Sequence, residues 1–182
     1  VKKAGVDKKD IKGVVFGTQG MGVIPIDEND NVLYNNITWL DGRAGKQAQK
    51  INEILGVEAT SDKDVWPKFA WIKENLPEIF EKTKYFLDVN GYLKFRATGR
   101  KVIEQTDALM SSFDPKRDGL FAALMAAAGV SRDKAPELVK SAENVGGLTA
   151  KAAEEMGLAE GTAVFGGSGD VPAAAIGAGC CT

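Results

Sequence analysis

The chain contains no histidine, so any proton transfer it performs falls to Asp, Glu, Lys, Tyr or Cys. Ser-His-Asp and Cys-His catalysis, and most zinc sites, are thereby excluded within these residues. Among the carboxylates, Asp170 has the most suggestive setting. A short apolar stretch, Ala163-Val164-Phe165, feeds Gly166-Gly167-Ser168-Gly169-Asp170, with Pro172 just beyond. The glycines let a second backbone or a ligand come close, and Pro172 suits the first turn of a helix. The carboxylate is then carried at the end of a strand, where α/β proteins commonly place ligands. Locally, a plain helix N-cap fits this pattern as well as a catalytic group does. Gly-Gly-Ser-Gly is not a Walker loop, because the Lys-Ser/Thr pair is missing. Cys180 and Cys181 are adjacent; neighbouring cysteines seldom pair with each other, and buried reduced thiols are expected.

Elements must hold these groups in place. Residues 11–18 contain Val14, Val15 and Phe16 and read as one strand buried on both faces. Residues 23–26 form a second short strand that Pro25 demotes to an edge or bulge. A third, around residues 32–34, follows the polar turn 27–31, and such close spacing predicts an antiparallel meander. Asp41 is a candidate N-cap for a helix running to Leu55, with Ala44, Ala48, Ile51, Ile54 and Leu55 on one face and Gly56 as the stop. Helices are expected over 66–75 with Pro67 in the first turn, from Pro77, over 91–98, over 120–127, over 133–139 and from Thr149 to Met156. A strand is expected at 85–87 and another at 163–165, and residues 172–178 turn helical. Thr106-Asp107 opens a polar loop to Arg117, in which Asp107 reads as a turn former. The pattern is mixed α/β in one unit.

With 182 residues and 44% hydrophobic content, the chain can bury a sizeable core. Its net charge of −2, with basic residues scattered, gives no stripe suited to nucleic acid. No apolar run approaches the ~18 residues needed to cross a bilayer, and no signal peptide is evident, so a cytoplasmic protein is expected. Val1-Lys2-Lys3-Ala4-Gly5 reads like the last turn of a helix cut in half, which suggests a fragment.

Several segments taken in order resemble the sugar-binding half of the FGGY family of carbohydrate kinases. Gly17-Thr18-Gln19-Gly20-Met21-Gly22-Val23, Ile26-Asp27 and Trp39-Leu40-Asp41-Gly42-Arg43 match its strand, Gly-Gln-X-X-Gly turn and Trp-X-Asp-Gly-Arg helix entry. Trp71-Ile72-Lys73-Glu74-Asn75-Leu76-Pro77-Glu78 looks like its Trp-Leu-Lys-Glu-Asn-Glu-Pro-Glu helix pair. Gly91-Tyr92-Leu93-Lys94-Phe95-Arg96-Ala97-Thr98-Gly99 is similar to its Asp-Tyr-Leu-X-X-X-Leu-Thr-Gly segment. Thr106-Asp107-Ala108 and the stretch from Leu148-Thr149 to Gly157-Leu158 follow in order, and Asp170 stands where the family has its catalytic aspartate.

The resemblance implies an actin-like ATPase (ribonuclease H-like) lobe, a mixed sheet flanked by helices and incomplete here. Residues 1–182 would be part of the N-terminal sugar-binding lobe, with the first strands and the nucleotide lobe absent. It implies phosphoryl transfer from ATP with Mg²⁺ to a small sugar, most simply a ketopentose such as xylulose. Asp170 would be the general base, and ATP and Mg²⁺ would be bound mainly by segments outside this chain. Gly20 and Met21 replace the Met-His pair of xylulose kinases and the Arg-Glu pair of glycerol kinases. Glycerol is therefore disfavoured and a ketose pocket expected. Val171 replaces the family's Asn after the catalytic Asp. Trp39, Asp41 and Arg43 are further candidates for the sugar cleft, although Asp41 could instead cap its helix and Arg43 pair with it. Asp107 lies where the family has a segment near the active site. The implied partners are sugar and ATP, with no nucleic acid or membrane, and a homodimer in the full-length protein. The 182 residues alone are expected to be inactive and to leave an apolar surface exposed. The competing reading is a non-catalytic actin-fold module that binds a sugar or a partner protein.

Overall fold

The computed structural model describes residues 1–111 and 118–180. The first apolar run yields two short strands, β1 (Gly13–Val14) and β2 (Gly17–Thr18), instead of one. Val15 between them is 66% exposed, so the run is not buried on both faces. The interruption lies where Gly167 crosses the chain: a Cβ there would stand 2.3 Å from the Phe16 carbonyl oxygen, and Gly167 sits at φ +78°. Only glycine tolerates both conditions.

β3 (Ile24–Ile26) is fully buried and pairs antiparallel with β4 (Tyr85–Leu87). The expected third strand of a meander is reduced to two isolated bridges, Val23 with Ile37 and Ile26 with Val32. Pro25, at the centre of β3, has no N–H to donate to a second ladder. The first helix, α1 (Gly45–Leu55), starts three residues later than expected and ends at Gly56 in the left-handed conformation. Ala44 precedes it without a side-chain cap, so Asp41 is not its N-cap. Ala44, Ala48 and Ile51 face the core, but Ile54 is exposed.

α2 (Val65–Asn75) carries Pro67 in its first turn, and α3 (Pro77–Lys82) starts on Pro77. α4 (Val89–Thr98) is capped by Asp88, whose side chain accepts from Gly91 N, and closes at Gly99. Next come β5 (Val102–Glu104) and α5 (Gln105–Met110). Thr106 and Asp107 thus lie in a helix, not in a loop, and Asp107 is completely buried. The rest of the expected loop, residues 112–117, lies outside the described residues. α6 (Asp118–Ala128) follows.

The helix expected over 133–139 is absent. A short 3₁₀ turn, Arg132–Lys134, leads into β6 (Glu137–Val139), which pairs parallel with β5. Pro136 explains the difference, because it pushes the preceding Ala135 out of helical space, to φ −85°, ψ 134°. β7 (Asn144–Gly147) leads to α7 (Ala150–Met156), which Thr149 caps by accepting from Ala152 N. β8 (Ala163–Phe165), β9 (Ser168–Gly169) and α8 (Asp170–Gly177) complete the chain.

The sheets mix both senses of pairing. β8 lies between parallel β1 and antiparallel β7, and β9 runs parallel to β2. The main core gathers Trp66, Phe69, Phe80, Phe86 and Phe121 with Ile72 and Leu124. Phe69 stacks on Phe86 at 4.4 Å and meets Trp66 edge-on. A second core of Val102, Val139, Val145, Leu148 and Val164 lies under β8. Val171 and Ile176 on α8 are exposed, and Cys180 is exposed where a buried thiol was expected. Among the described residues no helix is long and apolar enough to cross a membrane.

Candidate functional site: a pocket at the ends of two parallel strands

β2 and β9 lie side by side in register, Gly17 opposite Ser168 and Thr18 opposite Gly169. Their carboxyl ends therefore emerge together. The Gln19–Met21 turn leaves one, and α8, beginning at Asp170, leaves the other. This is the place where open α/β sheets hold ligands. A pocket of about 220 Å³ opens there, lined by Gln19, Gly20, Met21, Trp39, Met110, Asp170 and Val171.

Residues 150 positions apart in sequence, Gly20 and Met21 with Asp170 and Val171, share its wall. Trp39 contributes an aromatic face, 36% exposed. Asp41 and Arg43 are not among the lining residues. They pair with each other at 2.6 Å, Arg43 also donates to the Tyr34 hydroxyl, and its guanidinium lies 4.8 Å from the Trp71 ring centre. The Arg43 hydrogen bond holds the Asp41 carboxyl below the usual range, and Arg43 is raised in turn.

Asp170 is the first residue of α8, and Gly169, not Asp170, occupies the cap position. Its Oδ1 accepts from Val171 N at 2.8 Å, and among the described residues no lysine or arginine pairs with it. The side chain is exposed at the pocket wall. A carboxylate so placed can accept a proton from a ligand hydroxyl within hydrogen-bond reach.

A layer of buried polar groups fixes the glycine turn from below. Lys94 Nζ donates to the Gly166 carbonyl at 2.9 Å, and Asn90 donates to the Ser168 carbonyl at 3.1 Å. Thr106 Oγ1 accepts from Gly169 N at 3.0 Å while donating to Glu104, which also accepts from Ser141. The contacts from Lys94, Asn90 and Thr106 to Gly166, Ser168 and Gly169 all end on the segment that presents Asp170. None of these side chains is among the residues that the sequence singles out for chemistry, although Lys94 and Thr106 lie in segments of family resemblance. No local signal marked Lys94, because a lysine in an apolar run such as Tyr92-Leu93-Lys94-Phe95 ordinarily extends its ammonium to water.

Asp107 lies directly behind the pocket. A Cβ on Gly169 would stand 3.0 Å from its Oδ1, and one on Gly20 3.4 Å away. Among the described residues neither Asp107 oxygen finds a donor, and Asp88 Oδ2 is likewise without one. Burial first, then the Asp88 and Glu104 carboxylates, push Asp107 up to about 8. Burial also raises Asp88, against the pull of Lys94. The pair is therefore best described as sharing a proton at neutral pH, which supplies the missing donor. Among the described residues no group of three or more acidic or cysteine ligands is placed to hold a metal ion.

The model of the FGGY family of carbohydrate kinases, N-terminal domain, matches residues 1–177. The chain belongs to the FGGY family. Over 187 residues it is 34% identical to a xylulose kinase of Bacillus subtilis, covering 98% of this chain and 38% of that protein. Over 179 residues it is 30% identical to an L-fuculokinase of Escherichia coli K12, covering 93% and 38%. A solved xylulose kinase from Rhodospirillum rubrum superposes with a TM-score of 0.81 at 26% identity, over 92% of this chain and 37% of that one. The chain thus spans well under half the length of these FGGY relatives. Its lobe has the actin-like ATPase architecture of the FGGY kinases that it resembles.

Proposed function

We propose that this FGGY lobe is the sugar-binding part of an ATP-dependent kinase for a small sugar, a ketopentose such as xylulose, with Asp170 as general base. The observation that carries the reading is the pocket in which Asp170, Trp39, Gly20, Met21 and Val171 converge at the ends of β2 and β9. Trp39 offers a flat apolar face for the C–H side of a sugar chain. Gln19 and Asp170 are the two polar side chains on the wall, so they orient the hydroxyls. The Arg-Glu pair that glycerol kinases carry in this turn is absent, which argues against glycerol. Asp41 and Arg43 support the wall as a closed ion pair at the entry to α1.

In the proposed step, the sugar hydroxyl gives its proton to Asp170. Its oxygen bonds to the γ-phosphorus as the bond to ADP breaks. Phosphoryl transfer asks the protein mainly for alignment and charge stabilisation. ATP with Mg²⁺, which would neutralise the developing charge, is assigned mainly to segments outside this chain, in line with the family resemblance. The nucleotide lobe is accordingly assigned to sequence outside this chain, in keeping with the 38% of the Bacillus subtilis protein that it covers. We further propose a cytoplasmic enzyme that acts as a homodimer at full length.

The test is ATP-dependent phosphorylation of a panel of ketoses and polyols by the full-length protein. A ketopentose is expected to have the highest kcat/KM and glycerol a value lower by at least about 100-fold. Equal turnover of glycerol would contradict the assignment of the Gly20-Met21 turn, and no turnover of any sugar would contradict the kinase reading.

A further inference from the structure

Met21 is one of only two non-glycine residues with positive φ among the described ones, at φ 58°. Such a conformation persists only where the surroundings hold it. Here it is held from beneath. Lys68 on α2 is fully buried, and its ammonium donates to the Met21 carbonyl at 3.0 Å and to the Lys63 carbonyl. One buried cation thus ties the strained turn of the pocket to the loop ahead of α2. That loop connects to the other walls. Lys63 Nζ lies 5.9 Å from the Trp39 ring centre, and Asp62 packs so closely on Gly42 that a Cβ there would stand 2.7 Å from its Oδ2. The charged groups facing Lys68 are Asp64, Asp41 and Asp62.

From this junction we infer that Lys68 is a positioning residue for the sugar site, holding the Met21 turn in its binding shape and tying it to the loop beside Trp39. The inference rests on the sugar-site reading for its consequence and on the Lys68–Met21 geometry for its substance. Lys68 is not among the residues that line the pocket, so its removal is expected to act on binding and not on the chemical step. Burial lowers the Lys68 ammonium to about 8 against the pull of the three aspartates. Its charge is therefore lost at mildly alkaline pH, and with it the stronger, charge-assisted form of the bond to Met21. An arginine stays charged throughout that range.

Two measurements decide the matter. In the full-length protein, Lys68→Leu is expected to raise the sugar KM by about tenfold or more with kcat within about threefold. The second measurement needs no turnover. In an Asp107→Asn background, which removes the neighbouring carboxyl that also titrates near 8, and with ¹³C at the methionine methyls, the Met21 resonance is expected to shift with a midpoint near pH 8 and to stay constant once Lys68→Arg is added. Should Lys68→Leu fail to fold, this comparison still decides. A Met21 signal that does not titrate, or that titrates equally in Lys68→Arg, overturns the inference. An unchanged KM in a folded Lys68→Leu overturns it too. If the wild type phosphorylates no sugar while the Met21 titration behaves as expected, the kinase reading fails and the positioning role stands.

Discussion

Asp170→Asn is expected to bind sugar with a Kd within about threefold of the wild type while kcat falls by about 10²–10⁴-fold, the usual worth of a positioned general base. The substitution is nearly isosteric and removes one capacity, that of taking a proton. It leaves the structural work of the position largely intact, because Gly169 rather than Asp170 is the cap of α8. The groups that hold the turn, Lys94, Asn90 and Thr106, contact Gly166, Ser168 and Gly169 and not the Asp170 side chain. A loss of sugar binding would therefore point to direct recognition by the carboxylate, and a variant retaining more than about a tenth of kcat would remove Asp170 from the base role. Titration calorimetry beside steady-state kinetics on the full-length protein separates these outcomes.

The second large effect is on stability. Asp107 is held protonated by burial and by Asp88, up to about 8, against a reference of 3.8. Between those values the folded chain keeps a proton that the unfolded chain has lost. Its contribution to stability is therefore complete below about pH 4 and is lost as pH rises through 8, with a slope of at most about 1.4 kcal/mol per pH unit. Asp107→Asn keeps the shape and a donor for Asp88 but cannot ionise. The stability of the variant minus that of the wild type should grow with pH across that window, reach several kcal/mol on the order given by that slope, and level off above pH 8. Lys94, lowered by burial, contributes with the opposite sign at higher pH in both proteins. Urea unfolding at a series of pH values gives the difference directly, and a constant difference over the window would contradict the shared-proton description. For function, a neutral carboxyl behind Gly20 and Gly169 keeps a second negative charge away from the wall that carries Asp170.

What the sequence revealed of this site, and what it hid, follows from the range of the interactions. Glycine stops and caps are local, so Gly56, Gly99, Thr149 and Gly157 could be read directly, as could β4 at residues 85–87. Strands β5 and β6 lack an aromatic run like Tyr85-Phe86-Leu87, and each is defined by the other across 35 residues. Pro136 was a readable sign against the helix expected there. The convergence of Gly20 with Asp170 depends on the parallel pairing of β2 with β9, which no local pattern encodes. Family resemblance supplied it instead. Burial of Lys68, Lys94 and Asp107 was hidden for a related reason. A lysine in an apolar run ordinarily extends its ammonium to water, and these two stay inside because backbone carbonyls distant in sequence, at Met21 and Gly166, accept from them.

The proposed catalysis depends on where a sugar hydroxyl sits relative to Asp170, and a structure of the full-length protein with its best ketose bound measures that directly. The expected result is the sugar chain against Trp39, its phosphorylatable hydroxyl oxygen about 2.6–3.2 Å from an Asp170 carboxylate oxygen. A sugar bound outside the pocket between Gly20 and Val171, or one lying in it with no hydroxyl within reach of Asp170, would contradict the assignment.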